Sequence, residues 1–225
     1  MRSEKESLKG LLKKYEVEYS DTDLDVEYAL QPWRCNRKYV ELAKMVSSGT
    51  LENPCLLRFC HLTGEGTPLE ELLYREFDLA EFISGQKIVA LHAVLTGDCS
   101  GSVIIKMDNG IIGSVEISNL LPEGQAEVDR HEIIARRGVG SDIVVDTQIP
   151  QQSIYLMTED APAVFKDTDS ELYGLDEKQI ERVRAKFDFL KDKSSAEWHE
   201  SQDAHIRNAV KAALESNETH KKIVL

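Results

Sequence analysis

Apolar and polar positions follow their most regular pattern between Thr67 and Gly85. Five apolar residues recur there at the spacing of one helix face, namely Leu69, Leu72, Leu73, Ala80 and Ile83. Thr67 and Glu70 have the spacing of an N-terminal capping box, and Pro68 suits the first helical position. Gly85 suits the C-terminal end. The pattern predicts an amphipathic helix over residues 67–85, which we call the Thr67 helix.

The pattern becomes that of β-strands after this helix. Ile88–Leu95 is apolar on both faces, which predicts a central buried strand. Val103–Met107 and Ile111–Ile117 flank Asp108-Asn109-Gly110, which is a strong signal for a hairpin turn. Two successive strands joined by a tight turn are therefore expected in the middle of the chain.

Shorter segments complete the predicted elements. A second hairpin is predicted to turn at Gly138–Ser141. The other strands are predicted at residues 26–30, 54–60, 130–137, 142–145, 153–157 and 163–165. The other helices are predicted near residues 8–15, 39–46, 180–190 and 206–214.

Hairpins in the middle of the chain, with helices grouped before and after them, are typical of the α+β class. We expect one large, mostly antiparallel sheet with helices packed on one face. Residues 25–225 are predicted to form this domain, and residues 1–24 an N-terminal helix and junction segment. The second face of the sheet must then be solvated or covered by a partner.

Composition excludes several classes of partner. The 225-residue chain has 27 basic and 40 acidic residues, a formal net charge of −13, which argues against nucleic acid and anionic membranes as partners. No apolar run approaches the length of a membrane span, and the charged N-terminus is not followed by the apolar core of a signal peptide. The four cysteines form no C-x-x-C pair, so we interpret them as reduced thiols in a cytoplasmic protein without a metal site.

A stripe of charged residues lies on another face of the Thr67 helix. Glu71, Arg75 and Asp78 are spaced at i, i+4 and i+7. Spacing alone favours a solvated salt-bridge face, because such pairs commonly support helices, and a polar binding site is the alternative. His131, at the start of a predicted strand, is similarly either a proton shuttle or a hydrogen-bonded structural residue, and the second is the commoner case.

The stripe resembles a motif of the Gfo/Idh/MocA oxidoreductases, which include sugar and inositol dehydrogenases. Their C-terminal domain opens with a helix of the pattern D-x-G-x-H-x-x-D-x-x-x-x-x-x-G, which aligns with Glu71, Arg75, Asp78 and Gly85. The segment from Val46 to Pro54 and the hairpin at Asp108-Asn109-Gly110 are also similar to that domain. The resemblance implies a substrate-binding and oligomerisation domain whose sugar-like ligand lies against Glu71, Arg75 and Asp78.

The resemblance also implies a change in chemistry. Arg75 aligns with the catalytic histidine of the family, and a guanidinium stays protonated, so it cannot act as a general base. Lys5 aligns with the lysine of the family's E-K-P motif, although Glu6 replaces the proline. The alternative for Lys5 is an ordinary charge on a solvated N-terminal helix. We therefore expect no catalysis by this chain alone.

Cofactor binding is the second difference from the family. None of the 13 glycines forms the G-x-G-x-x-G fingerprint of a Rossmann domain, and no P-loop is present. The sequence thus predicts a C-terminal-type domain without the N-terminal Rossmann domain, binding no cofactor by itself. NAD(P) enters only with a separate nucleotide-binding subunit.

Two hypotheses of function follow. The first is a stand-alone substrate-binding domain, expected to be a homo-oligomer through the open sheet face because the resembled family pairs its subunits there. The alternative is a non-enzymatic structural homo-oligomer with no small-molecule ligand. The sequence does not identify the substrate or the number of subunits.

Overall fold

The computed structural model describes residues 3–26, 28–142, 153–158, 163–166 and 173–225. Nine strands in these ranges form one sheet: β1 (Pro54–Gly64), β2 (Ile88–Thr96), β3 (Ser100–Met107), β4 (Ile112–Leu121), β5 (Val128–Ala135), β6 (Gly138–Ser141), β7 (Ser153–Thr158), β8 (Ala163–Lys166) and β9 (Ile223–Val224). Their order is β8-β7-β6-β5-β1-β4-β3-β2-β9. Every neighbouring pair is antiparallel except β1 and β4, which are parallel.

Helices lie before the strands, between β1 and β2, and after β8. The α-helices are α1 (Glu4–Lys14), α2 (Asp21–Asp25), α3 (Arg37–Ser47), α4 (Leu69–Ser84), α5 (Glu177–Lys191) and α6 (Ala196–Thr219). A 3₁₀ turn over Pro32–Cys35 precedes α3. In the part of the chain that the structure describes, no helix combines the length and the apolar content that crossing a bilayer requires. The α+β class is confirmed.

The main core lies between the sheet and α3, α4 and α6. Leu73, Phe77 and Ala80 on α4 are fully buried, together with Val103 and Ile105 on β3. Burial of one valine, leucine, isoleucine or phenylalanine side chain stabilises the folded state by roughly 1.5–3 kcal/mol. The apolar stripe predicted for the Thr67 helix is therefore the surface that fixes α4 on the sheet.

The N-terminus of α4 differs from the prediction. Pro68 is the N-cap, the helix begins at Leu69, and no side chain caps it, so the capping box of Thr67 and Glu70 does not form. The Thr67 carbonyl oxygen instead accepts a hydrogen bond from Asn119 Nδ2 at 2.9 Å. The first turn of α4 is consequently left without a side-chain acceptor.

The hairpin at Asp108-Asn109-Gly110 forms as predicted. Met107 donates its N–H to the Ile111 carbonyl at 2.8 Å, and Gly110 takes a φ of +93°, which a glycine adopts without a Cβ penalty. The turn sequence is sufficient to predict this hairpin, because both strands and the turn lie within about twenty residues.

Three other expectations are wrong. Ile88–Leu95, now β2, lies next to the edge of the sheet, with the two-residue β9 beyond it. Gly138–Ser141 is strand β6 rather than a turn. It pairs with β5, and the turn of this hairpin lies at the two residues before it. Val26 and residues 28–30 are irregular rather than a strand. The strand predicted at 142–145 lies almost wholly outside the described residues.

A second, smaller core holds the N-terminal segment. Leu8 and Leu12 of α1 and Leu24 of α2 pack with Ile180 and Phe189 of α5. The spacing of leucines in α1 is thus explained by its contact with α5. The first helices thus lie beside α5, and the N-terminal turns of α5 line the cleft described next.

Candidate functional site

A cleft of about 850 Å³ opens beside the N-terminal half of α4. Its walls come from α4, from the paired ends of β1 and β5, and from α5 and α6. Six polar side chains on these walls bear on its chemistry: His61, Thr63, Glu71, Arg75, Glu127 and Asp129. A volume of this size is in the range of ligand-binding clefts.

Arg75 makes two parallel hydrogen bonds to Asp129. Its Nη1 donates to Oδ1 at 2.9 Å and its Nη2 to Oδ2 at 3.0 Å, and Nη2 also donates to the Tyr39 hydroxyl at 2.6 Å. Burial opposes the charge, but Asp129 and the other acidic groups outweigh it and raise the pKa of Arg75 well above its usual value. The bidentate pair therefore stays ionised and orients both side chains.

Lys38 adds a second cation to Asp129. Its Nζ donates to Oδ2 at 2.8 Å and lies 3.5 Å from a carboxylate oxygen of Asp142. Burial favours a neutral Asp129, yet Arg75 and Lys38 outweigh it and hold the pKa of Asp129 well below its usual range. Asp129 is thus a partly buried carboxylate whose negative charge is neutralised by Arg75 on one side and by Lys38 on the other.

A fully buried pair, Glu76 and His131, continues this network into the core. Nε2 of His131 lies 2.9 Å from Glu76 Oε2, and Nδ1 lies 2.9 Å from Asp142 Oδ2. Burial opposes protonation of His131, but Glu76, Asp142 and Asp129 outweigh it and raise its pKa to about 9. The imidazole therefore carries a proton on each nitrogen at neutral pH and donates to a carboxylate on both sides.

His61 joins this network to the cleft. Its Nδ1 lies 3.1 Å from Arg75 Nη1 and 3.3 Å from Glu76 Oε1. Its Nε2 lies 3.7 Å from Glu127 Oε2, which is longer than a hydrogen bond. Burial lowers the pKa of His61, while Glu127 and Glu76 raise it, and the net direction is upward.

The three groups His61, Glu76 and Asp129 have the donor set of a metal site. One ligand atom from each lies within 4.8 Å of the others. However, Arg75 Nη1 contacts all three, at 3.1 Å from His61, 2.5 Å from Glu76 and 2.9 Å from Asp129. A guanidinium and a metal ion do not share one position, so in this arrangement Arg75 supplies the cation that neutralises these ligands.

The structure separates the residues predicted for the site. Glu71 and Arg75 line the cleft, and Glu71 is exposed. Asp78 lies on another side of α4, fully buried, where it accepts hydrogen bonds from Trp33 Nε1 at 2.7 Å and from Arg34 at 2.6 and 2.8 Å. Lys5 is exposed on α1, outside the cleft lining, and its Nζ lies 2.7 Å from Asp25.

Sequence reasoning misses the strand residues of the site. His61 and Asp129 are directly opposite each other in the β1–β5 ladder, although 68 positions separate them in the chain. Alternation along β1 is the available signal, because Phe59, His61 and Thr63 share the buried face of that strand. His131 is a candidate from the sequence, and the structure places it in the charged network.

The fold and the cleft define a class of architecture, an α+β domain with a large, mostly antiparallel sheet and a polar cleft beside α4. No protein-family model matches the chain, and no curated protein sequence matches it. Its fold is that of the C-terminal domain of Gfo/Idh/MocA-type oxidoreductases, which confirms the resemblance at the level of fold.

Three solved structures illustrate this likeness. An inositol dehydrogenase homologue from Azotobacter vinelandii, complexed with NADH and myo-inositol, has a TM-score of 0.66 and 10% identity over 86% of this chain and 63% of its own. An aldose-aldose oxidoreductase from Caulobacter crescentus, complexed with glycerol, has a TM-score of 0.62 and 14% identity over 86% of this chain and 62% of its own. An oxidoreductase from Agrobacterium radiobacter, in complex with NAD⁺, L-tartaric acid and magnesium, has a TM-score of 0.69 and 13% identity over 99% and 70%. The chain thus spans less than two thirds of the first two proteins.

Proposed function

We propose that this chain is a substrate-binding and oligomerisation domain of the sugar- or inositol-oxidoreductase type, with a neutral polyhydroxy ligand in the α4 cleft. The observation that carries the proposal is the polar cleft beside α4, on a fold shared with oxidoreductases that were solved with myo-inositol or glycerol. Polyols need several hydrogen-bonding groups on a concave surface, and the cleft walls offer them.

Arg75 explains why the chain is not a dehydrogenase on its own in this proposal. Its guanidinium is held ionised by Asp129, so it does not accept a proton from a ligand hydroxyl. Hydride transfer also needs an acceptor, and NAD(P) is supplied by a separate nucleotide-binding subunit. Free cysteines throughout the chain agree with a reducing, cytoplasmic setting.

One observation favours the alternative of a structural homo-oligomer without a small-molecule ligand. Both Nη atoms of Arg75 contact protein groups, namely His61, Glu76, Asp129 and Tyr39. A network that is satisfied internally needs no ligand for its stability. The two functions therefore differ in whether anything binds in the cleft.

Thermal unfolding with and without myo-inositol and L-sorbose separates them. A ligand at ten times its Kd stabilises the native state by roughly 1.4 kcal/mol, about 4 °C for a chain of this size. We expect such a shift with at least one of the two compounds, and affinity capture from the source cell is expected to recover a protein with a G-x-G-x-x-G fingerprint. No shift with either compound, together with recovery of the chain alone, would establish the structural alternative.

A further inference from the structure

β2 is an apolar strand close to one edge of the sheet. Its residues include no proline and no Asp, Glu, Lys or Arg. On its outer side it pairs with β9, and within the described residues that pairing extends over Ala90 and Leu91. A strand edge with unpaired backbone groups and β-forming side chains is a template for pairing with another chain. Residues 92–96 therefore need a cover other than β9.

The C-terminal end of α6 supplies this cover. Ser216 Oγ accepts a hydrogen bond from the Ala93 N–H at 3.0 Å, and Asn217 Oδ1 accepts one from the Leu95 N–H at 2.8 Å. Ala93 and Leu95 are alternate residues, and the N–H groups of alternate residues in a strand point to the same edge. The two side chains thus occupy the acceptor positions that carbonyl oxygens of a further strand would take.

Ser216 also connects the end of α6 to the segment that forms β9. Its hydroxyl donates to the Lys221 carbonyl at 2.6 Å, and its side chain is fully buried. Further along, the Leu225 N–H donates to the Val89 carbonyl at 2.9 Å, on the same outer side of β2. One hydroxyl therefore joins both parts of the cover, the helix end and the C-terminal strand.

We propose that Ser216 and Asn217 close the β2 edge against pairing with β2 of a second copy of this chain. Two copies of one strand can pair antiparallel about a twofold axis, and β2 carries none of the charges or prolines that usually prevent this. Val94, which is 62% exposed on β2, adds apolar surface to such a contact. Self-association of the folded chain is thereby restricted to other surfaces, and the inference does not depend on what binds in the cleft.

Hydrogen exchange of β2 in the purified chain, measured by mass spectrometry at low concentration, tests the two contacts. Ser216→Ala and Asn217→Ala each remove one acceptor, so exchange at Ala93 and at Leu95 respectively is expected to become roughly fivefold faster, the value of one hydrogen bond. Asn217→Asp keeps the acceptor oxygen and is expected to exchange as the wild type does. Thr219→Ala is the matched control, because that exposed hydroxyl lies on the same helix end and donates within α6.

Light scattering over a range of concentrations tests the exclusion of a second copy. The double variant Ser216→Ala/Asn217→Ala is expected to reach a higher mass than the wild type at the same concentration. Exchange of β2 is expected to slow again as this larger species forms, because each copy then covers the other's edge. If the double variant does not fold, Asn217→Ala carries the same test at Leu95, since Asn217 is only half-buried.

Three results would overturn the proposal. The first is unchanged exchange of β2 in the variants, which would show that the two side chains do not protect the edge. The second is a variant that exchanges faster but keeps the wild-type mass at every concentration. The third is a gain in mass while β2 stays unprotected, because the copies would then meet at another surface, such as the open face of the sheet.

Discussion

Glu76 and His131 show how single residues hold the charged network together. Both are fully buried, and each has a partner of opposite charge on two sides, so neither leaves an isolated charge in the core. Removing one partner of such a pair typically costs about 3–5 kcal/mol because the other charge is left uncompensated. These residues therefore fix the position of Arg75 at the cleft wall rather than contacting a ligand.

The raised pKa of His131 predicts a dependence of stability on pH. Its pKa is about 9 in the folded chain, above the usual value of 6.5, so the contribution is complete below about pH 6.5 and is lost as pH rises through about 9. The raised pKa of His61 acts in the same direction. Urea unfolding at intervals from about pH 6 to about pH 9.5 is expected to show a falling free energy of unfolding.

Two variants test the cause of this dependence. Glu76→Gln removes the anion next to His131, and it is expected to lower the free energy of unfolding by about 3–5 kcal/mol at neutral pH. His131→Gln removes the titrating group, so its profile is expected to be shallower than that of the wild type. A wild-type profile that stays flat between about pH 6.5 and about pH 9 would contradict the charged state of His131.

At the level of elements, α4 is terminated in opposite ways at its two ends. The N-terminus has no side-chain cap, whereas the C-terminus ends at Gly85 in the left-handed conformation with φ of +67°. The Gly85 N–H donates to the Glu81 carbonyl at 2.9 Å. The C-terminal end is thus fixed by backbone geometry, and the N-terminal end begins with a proline and without a side-chain acceptor.

This difference yields a prediction for two glycines. Gly85→Ala is expected to destabilise the chain by roughly 1 kcal/mol because a Cβ is strained at positive φ. Gly10→Ala is the matched control, because Gly10 lies inside α1 and is exposed. Apart from its chain neighbours and the backbone of its own helix, no atom of the described residues lies within 4 Å of the position that a Cβ would take, so alanine is expected to stabilise by roughly 0.5–1 kcal/mol. Thermal unfolding measures the change in stability of both variants. Shifts of the same sign would show that backbone conformation does not determine the effect at residue 85.

How far the sequence predicts this molecule depends on the range of each signal. The α4 helix and the hairpin at Asp108-Asn109-Gly110 follow from neighbouring residues, and local patterns predict both. The parallel pairing of β1 with β4 depends on contacts distant in the chain, and local patterns do not reveal it. The strand at Gly138–Ser141 pairs locally with β5, but its two glycines are more typical of a turn than of a strand. The same limit applies to the site: helix periodicity places Glu71 and Arg75 together, while only the β1–β5 register brings His61 to Asp129.

At the scale of the whole molecule, helices cover one face of the sheet, and no helix among the described residues covers the other. Val94, Ile104 and Ile112 lie on the second face and are 62%, 47% and 47% exposed. Polar groups are mixed among them, including Arg58, which pairs with Glu132 across β1 and β5. A broad face of mixed character is typical of subunit interfaces, which need roughly 1,200–2,000 Å² of buried surface to be stable.

The homo-oligomer that we propose on this face is tested by a substitution at the centre of the face. Ile104 lies on β3 between His92 and Ser114, so a charge placed there enters the middle of any face-to-face contact. Ile104→Glu is expected to reduce the mass measured by light scattering to the 25.4 kDa of one chain, with little loss of thermal stability because the side chain is half exposed. Val26→Glu is the control, since Val26 is similarly exposed at 43% but lies outside the sheet. A wild-type chain that is already monomeric at micromolar concentration, or an Ile104→Glu variant that keeps the wild-type mass, would show that this face does not join subunits.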